Sequence, residues 1–351
     1  MKKVLLPYSA EQVRNITRSR AGESRVGDHV AAGGEKWQAN LERSPTRYVI
    51  IGIAEDIGVR ANLGRPGAQS AFAPSLSAFL NQQHNWFLDS SLVTVLGEIN
   101  CGDLMKKAGK IAGSSNVALS RLRSLVAELD ERVAAVIRQV AGFGKIPLVI
   151  GGGHNNAYGI IRGVSEHLGR ALNVVSCDPH LDFRELEGRH SGNSFSYAFA
   201  GGFLDRYAVI GMHEQYNNQH ALSEFSKHPG RLYSVSFESV FVRGEQTFSE
   251  ALRDCAGFVG GATAGLEMDL DSITNMPSSA RTSSGISALE ARRFVHHFAS
   301  KVDCAYFHVA EGAPVLSHIR ADMKTGKFIA YLLSDFIKAH SARKALRDKD
   351  H

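Results

Sequence analysis

Asp178-Pro-His180-Leu-Asp182 sets three metal-type donors two residues apart, directly after the apolar run Leu172-Asn-Val-Val-Ser-Cys177. Side chains at i, i+2 and i+4 of an extended segment point the same way, so Asp178, His180 and Asp182 converge beyond the end of a strand. Two further segments repeat the arrangement. Gly265-Leu-Glu267-Met-Asp269-Leu-Asp271 alternates acids with apolar residues, and Ile146-Pro-Leu-Val-Ile150 runs through three glycines into His154. Hard carboxylate oxygens with two imidazoles suit a pair of divalent ions, Mn2+ first among them. A structural zinc site would draw on thiolates, and Cys101, Cys177, Cys255 and Cys304 form no CxxC pair. One DxHxD alone reads equally well as a strand-end turn with solvated acids; three such segments, each behind a buried-type strand, point to metal chemistry.

The elements that must hold these residues alternate along the chain. Strand-like runs span 48–53, 92–96, 146–150, 172–177, 207–210, 232–236, 266–270 and 304–309, several of them continuously apolar, as in a parallel sheet covered on both faces. Between them, Leu119, Leu122, Leu125, Val126, Leu129, Val133, Val136 and Ile137 recur at helical spacing within 116–140, and Ser287-Ala-Leu-Glu290 has the form of a capping box. The pattern predicts a three-layer α/β/α fold with a mostly parallel sheet of about eight strands, right-handed crossovers, and ligands at the carboxyl ends of the strands.

The 351 residues show no linker, repeat or low-complexity stretch and read as a single domain. The first 45 or so, with Arg14, Arg18, Arg20 and Arg25 among small polar residues, read as a mobile arm or a subunit contact. Hydrophobic content of 44% with 21% charged residues fits a globular chain with a sizeable core. No apolar run has the roughly 18 residues of a spanning helix, and MKKVLLPYSAEQVRN lacks a secretory core, so a cytoplasmic location is expected, in keeping with four unpatterned cysteines. The net charge of +5 is spread along the chain, partly in 338–347, which reads as a solvated helix end. No basic stripe or nucleic-acid motif accompanies it; a mild positive field instead favours an anionic small substrate.

The order GGGHNN, DPHLDFR, EMDLDSI and AEGAP resembles the ureohydrolase superfamily of arginase, agmatinase and formimidoylglutamase, whose usual forms are GGDHS, DAHxDxR, SxDxD and ExNP. The formimidoylglutamase branch is the nearest. Gly52-Ile-Ala-Glu55-Asp56-Ile-Gly-Val-Arg60-Ala-Asn62-Leu-Gly64-Arg65-Pro-Gly67-Ala68 is similar to that branch's GIPEDxGVxxNxGRxGA, and His190-Ser-Gly192-Asn-Ser-Phe195 to its SGTPF. The correspondence is collinear from about Tyr48 to about Pro314.

The resemblance implies an arginase-like fold and two Mn2+ ions per subunit. His154, Asp178 and Asp182 would hold one ion with one of the later acids, while His180, Asp269 and Asp271 complete the second, at least one carboxylate bridging. A hydroxide between the ions would attack the C=N carbon of a formimino or guanidino compound, taking formimidoylglutamate to glutamate and formamide as a step of histidine metabolism. Catalytic roles fall to Asp182, to Glu311, where the family keeps an acid for the cationic end of the substrate, and to His190 as a proton shuttle. Arg184, Asn193, Ser194, Glu311 and Arg65 are expected to bind substrate, Arg184 first because the DxR pattern separates this branch from arginase; Arg60 and Arg189 are further arginines of segments near the site.

Glu267 stands where the family more often has Ser and reads either as an acid behind a metal ligand or as a partner for Lys or Arg. His213 and Gln215 occupy a strand-end loop, and His308 reads as a buried, satisfied histidine. Gly153 in place of the usual Asp removes a hydrogen-bond acceptor and implies a looser site, Asn155 replaces Ser, and Gly312-Ala313 replaces Val-Asn. The resemblance also implies a homo-oligomer. The alternatives are another ureohydrolase (agmatinase, arginase or guanidino-acid hydrolase), a one-metal deacetylase of the same fold, or a non-catalytic metal-binding paralogue.

Overall fold

All eight apolar runs are strands, and two short ones join them, in the computed structural model of the chain, which describes residues 3–317 and 323–347, with side chains to Lys344. In chain order these are β1 (Leu5–Pro7), β2 (Ala31–Ala32), β3 (Tyr48–Gly52), β4 (Val93–Ile99), β5 (Ile146–Ile150), β6 (Leu172–Cys177), β7 (Leu204–Met212), β8 (Leu232–Ser236), β9 (Thr263–Asp269) and β10 (Asp303–Ala310). They form one sheet in the order β1-β4-β3-β5-β10-β9-β6-β7-β8, with β2 paired to β4. Every pairing is parallel except β1 with β4.

The near-continuous apolar strands follow from helices on both faces. Tyr48, Ile50, Leu148, Ile150, Leu266, Met268, Phe307 and Val309 point into one core with the helices Phe72–Leu80, Phe248–Val259, Ala288–Lys301 and Met323–Arg347. Their sequence neighbours Val49, Ile51, Val149 and Tyr306 point into the other, beneath the helices Asn116–Gly142 and Asn156–Leu168. The predicted capping box is present: Ser287 Oγ accepts from Glu290 N at 3.2 Å, and the Glu290 carboxylate accepts from Ser287 N at 2.7 Å.

Two expectations are corrected. Residues 3–45 are packed against the body rather than held out as an arm: β1 and β2 pair with β4, and Val13 and Val26 are buried in the core, so this segment closes one edge of the sheet. The stretch from Lys338 is likewise not simply solvated, since Ala339 and His340 are buried and His340 Nδ1 lies 3.1 Å from Tyr48 Oη. The side chain of Arg347 lies outside the described residues.

What positions the site is the centre of this order. β5, β10, β9 and β6 are consecutive neighbours, all parallel. Their carboxyl ends lead into His154, Glu311, Asp269 with Asp271, and Asp178 with His180 and Asp182 respectively. Four segments far apart in sequence therefore open onto one rim.

Candidate metal centre

Each segment reaches the rim through a local device. After β5 the chain turns on Gly151 and Gly152, at φ 88° and 75°, a left-handed pair that residues with a Cβ disfavour. That turn delivers His154 just ahead of the Asn156–Leu168 helix. Asp178 and Asp269 each fold back on their own backbone: Asp178 Oδ1 accepts from His180 N and Asp269 Oδ1 from Asp271 N, both at 2.7 Å. One oxygen of each carboxylate is thereby used by its turn and the other left to face the centre. Asp182 and Glu311 take φ of 46° and 63°, left-handed values that cost about 1–3 kcal/mol for non-glycine residues and concentrate at functional sites.

The free oxygens meet one imidazole nitrogen. His154 Nδ1 lies 2.9 Å from Asp178 Oδ2, 3.0 Å from Asp182 Oδ2 and 3.1 Å from Asp269 Oδ2. A single ring nitrogen carries at most one proton, and neither His154 nitrogen nor Asp178 Oδ2 has a partner in hydrogen-bond geometry, although all are buried. One nitrogen and three carboxylate oxygens, all facing one another in a largely buried site, are the donor set of a hard divalent ion. The residues present thus fit a metal.

The electrostatics agree. Burial alone would strip the proton from His154, yet the carboxylates of Asp178, Asp182, Asp269 and Glu267 push its imidazole well above the usual range. Burial, with Asp178 alongside, raises the carboxyl of Asp182, and burial with Asp178 and Asp271 alongside raises that of Asp269 well above normal. Buried like charges this close oppose one another until a cation joins them.

The centre opens into a cavity of about 190 Å³ whose lining includes His180, Asp182, Asp269, Asp271, Glu311 and Arg184. The His180 side chain is 29% exposed, with Nδ1 3.4 Å from Asp178 Oδ1. Asp271 accepts from Ala280 N at 2.9 Å, while Glu311 accepts from His154 N at 2.7 Å and from the Ser279 hydroxyl. Arg184 is exposed at the mouth and, among the described residues, its guanidinium is paired with nothing.

Other expected residues lie elsewhere. His190 is buried and does not line the cavity: Nδ1 accepts from Gly192 N and Nε2 lies 3.1 Å from Glu187 Oε1, while burial, with Arg123 nearby, depresses its imidazole to about 4. It caps the turn at Ser191–Asn193, away from the cavity where a proton shuttle was expected. Asn193 spends its amide on Gly188 O and its carbonyl on Arg189 and His190 N. Ser194 donates to His154 O at 2.6 Å, so it fixes the backbone behind a site residue without reaching the cavity. Arg65 is exposed and off the lining, and Arg60 donates to Ala108 O and Ile111 O. Arg189 is buried against Asp130. His213 stacks on Phe237 and Tyr216, and His308 is buried and bonded to Glu267.

The cavity also exposes residues that the sequence did not single out: Asn62, Ser191, Tyr216, Asn218 and Ser279. They sit in loops without a repeating pattern. Asn62, inside the segment similar to GIPEDxGVxxNxGRxGA, and Ser191, inside the one similar to SGTPF, carried a usable signal.

Comparison with known proteins follows the same lines. The model of the arginase family matches residues 46–337. A formimidoylglutamase of Chromobacterium violaceum is 33% identical over 187 residues, 52% of this chain and 53% of that protein, so this match spans about half of its length. One from Streptococcus pyogenes serotype M5 is 26% identical over 281 residues, 77% of this chain and 78% of that protein. Among solved structures, a Trypanosoma cruzi formiminoglutamase with Mn2+2 aligns with TM-score 0.70 at 21% identity, covering 92% of this chain and 99% of that one. The formimidoylglutamase of Bacillus subtilis aligns with TM-score 0.71 at 16% identity, covering 93% and 94%. At these identities the structural likeness is one of fold.

Proposed function

We propose that this chain, which belongs to the arginase family, is a hydrolase of C–N bonds in linear amidines that works with two Mn2+ ions and converts formimidoylglutamate and water to glutamate and formamide. The observation that carries the reading is His154 Nδ1 within 3.1 Å of three carboxylate oxygens, two of them from Asp182 and Asp269, which line a cavity whose mouth holds the guanidinium of Arg184.

On this reading His154, Asp178, Asp182 and Asp269 would hold one ion, and His180 and Asp271, which line the same cavity, would help hold the second. Two Mn2+ ions held there would supply Lewis acidity and make a water acidic enough to act as hydroxide near neutral pH. Glu311 offers its buried carboxylate to the amidinium nitrogens of the substrate. Its two oxygens, fixed by His154 N and the Ser279 hydroxyl, leave it little freedom to reorient. Arg184 anchors a carboxylate at the far end in bidentate geometry, and Asn62, Ser191 and Asn218 offer neutral polar groups beside it. A guanidino acid with one carboxylate would use the same guanidinium, which makes it the second reading.

The test is a substrate panel. Protein stripped of metal and reloaded with Mn2+ is assayed for formamide, urea and ammonia on formimidoylglutamate, arginine, agmatine and guanidino acids. Formamide and glutamate from formimidoylglutamate are expected. Urea from a guanidino acid without formimidoylglutamate turnover selects the second reading, and silence across the panel overturns both.

A further inference from the structure

Glu267 is the buried acid that the reading above leaves without a task. It sits on β9 two residues before Asp269, so both side chains leave the same face of the strand. In the parallel register it stands between Ser176 on β6 and His308 on β10. Tyr306 Oη donates to Glu267 Oε1 at 2.7 Å, and His308 Nδ1 lies 2.7 Å from Oε2. Oε2 also faces His154 Nε2 at 3.4 Å, the ring nitrogen opposite the one that meets the three aspartates. All four residues are fully buried.

The arrangement is built rather than incidental. A Cβ at Gly265 would fall 2.3 Å from the Tyr306 ring and 2.5 Å from its hydroxyl, so glycine there is what admits the tyrosine that holds Glu267. Gly265-Leu-Glu267 and Tyr306-Phe-His308 interlock as one unit across two adjacent strands.

We infer that Glu267, clamped by Tyr306 and His308, is a positioning residue for the metal centre: its Oε2, 3.4 Å from Nε2, is the acceptor placed for the Nε2 proton of His154 once a cation occupies Nδ1, and it so keeps the Nδ1 lone pair turned toward Asp178, Asp182 and Asp269. The inference rests on reading that cluster as a metal site. Its physical basis is general, because a histidine that binds a cation through one nitrogen needs an acceptor for the proton on the other, and that acceptor fixes ring orientation and raises ligand basicity. A carboxylate does both more strongly than a neutral group. It also returns negative charge beneath a centre whose neighbouring position, Gly153, offers no side-chain acceptor.

The experiment is a Mn2+ titration of the stripped full-length chain, read by the Mn2+ electron paramagnetic resonance spectrum and by calorimetry, with unfolding of the metal-free protein measured in parallel. Glu267→Gln keeps the shape and removes the charge. It is expected to weaken the tighter Mn2+ by about 10–100-fold, the usual effect of losing such a partner, and to alter the spectrum of the bound ion. Tyr306→Phe, which loosens the clamp and leaves the charge, is expected to weaken it several-fold. Wild-type Mn2+ affinity in Glu267→Gln overturns the inference, whatever happens to metal-free stability. If Glu267→Gln does not fold, unchanged affinity in Tyr306→Phe overturns it. Failure of the wild type itself to bind Mn2+, with Asp182→Ala no different, overturns instead the metal reading on which the inference stands.

Discussion

Replacing Arg189 by Met should cost about 4 kcal/mol of folding stability. Arg189 Nε lies 2.9 Å from Asp130 Oδ2, with side chains only 5% and 2% exposed. The guanidinium also donates to Asn155 O at 2.8 Å and Asn193 Oδ1 at 2.5 Å, and it packs against the rings of Tyr158 and Tyr197, 4.7 and 5.0 Å from their centroids. Removing one partner of a buried pair typically costs 3–5 kcal/mol, because the other charge stays buried and unpaired. Proton uptake limits the loss here. Burial already pushes the Asp130 carboxyl up to about 6 despite Arg189 beside it, so without the guanidinium it takes a proton near neutral pH. A carboxyl raised in the folded state gives stability below its unfolded pKa of about 3.9 and loses it as pH rises through the folded value. The deficit of Arg189→Met should therefore widen from pH 5 to pH 8. The assay is denaturant unfolding of metal-free protein as a double-mutant cycle, with Asp130→Asn in Arg189→Met recovering about 2 kcal/mol. A loss below about 1 kcal/mol in Arg189→Met, or a double variant no more stable than the single one, would refute the argument.

Further outcomes follow from other parts of the molecule. Arg184→Ala should raise KM for formimidoylglutamate by about 10–100-fold, the worth of one or two charge-assisted hydrogen bonds, and leave agmatine, which has no carboxylate, nearly unchanged; equal effects on both would reject the carboxylate anchor. Asp182→Ala should lower the Mn2+ content found by elemental analysis and abolish turnover, and full activity would mean the ligand set is wrong. Burial depresses His340 from 6.5 to about 3. The neutral folded form thus contributes stability above pH 6.5 that drains away toward pH 3, at most about 5 kcal/mol at 1.36 kcal/mol per pH unit, and His340→Phe should flatten that acid limb of the unfolding free energy. At Gly153 a Cβ would meet Asn155 Oδ1 at 2.5 Å and Val59 Cγ2 at 2.8 Å. Gly153→Asp alone should lower the melting temperature, and Asn155→Ser added to it should restore most of the loss; no recovery would show that the two positions are not coupled.

The Gly153 pair also shows what the sequence could not convey. The glycine reads as a missing acceptor and a looser site, but its space is taken by the Asn155 side chain, which donates to Glu55 Oε1 at 3.1 Å from the same pocket. A substitution and its neighbour two residues on form one packing unit, and only the turn of the chain reveals it. The strand-end triplets were legible for the opposite reason. Their geometry is local: an aspartate that bonds the backbone two residues ahead orients itself whatever the rest of the fold does. The central strands were legible because both faces are apolar, whereas β1 and β2, of three and two residues, are too short to show any period.

The loop from Arg184 to Ser194 lies between these cases. Its composition marks it as polar and near the site, yet nothing local says that Arg184 faces the cavity while Arg189, five residues on, faces the core. That choice is made by Asp130, 59 positions away on the Asn116–Gly142 helix, which draws Arg189 inward and carries His190 and Asn193 with it. The floor of the site is thus fixed by strand ends and the mouth by a buried ion pair outside it. Changes that preserve Asp130 and Arg189 can vary Arg184 and Ser191 without disturbing His154 or the strand-end carboxylates. On the proposed function, substrate preference is therefore free to change at the mouth while the cluster at the strand ends stays as it is.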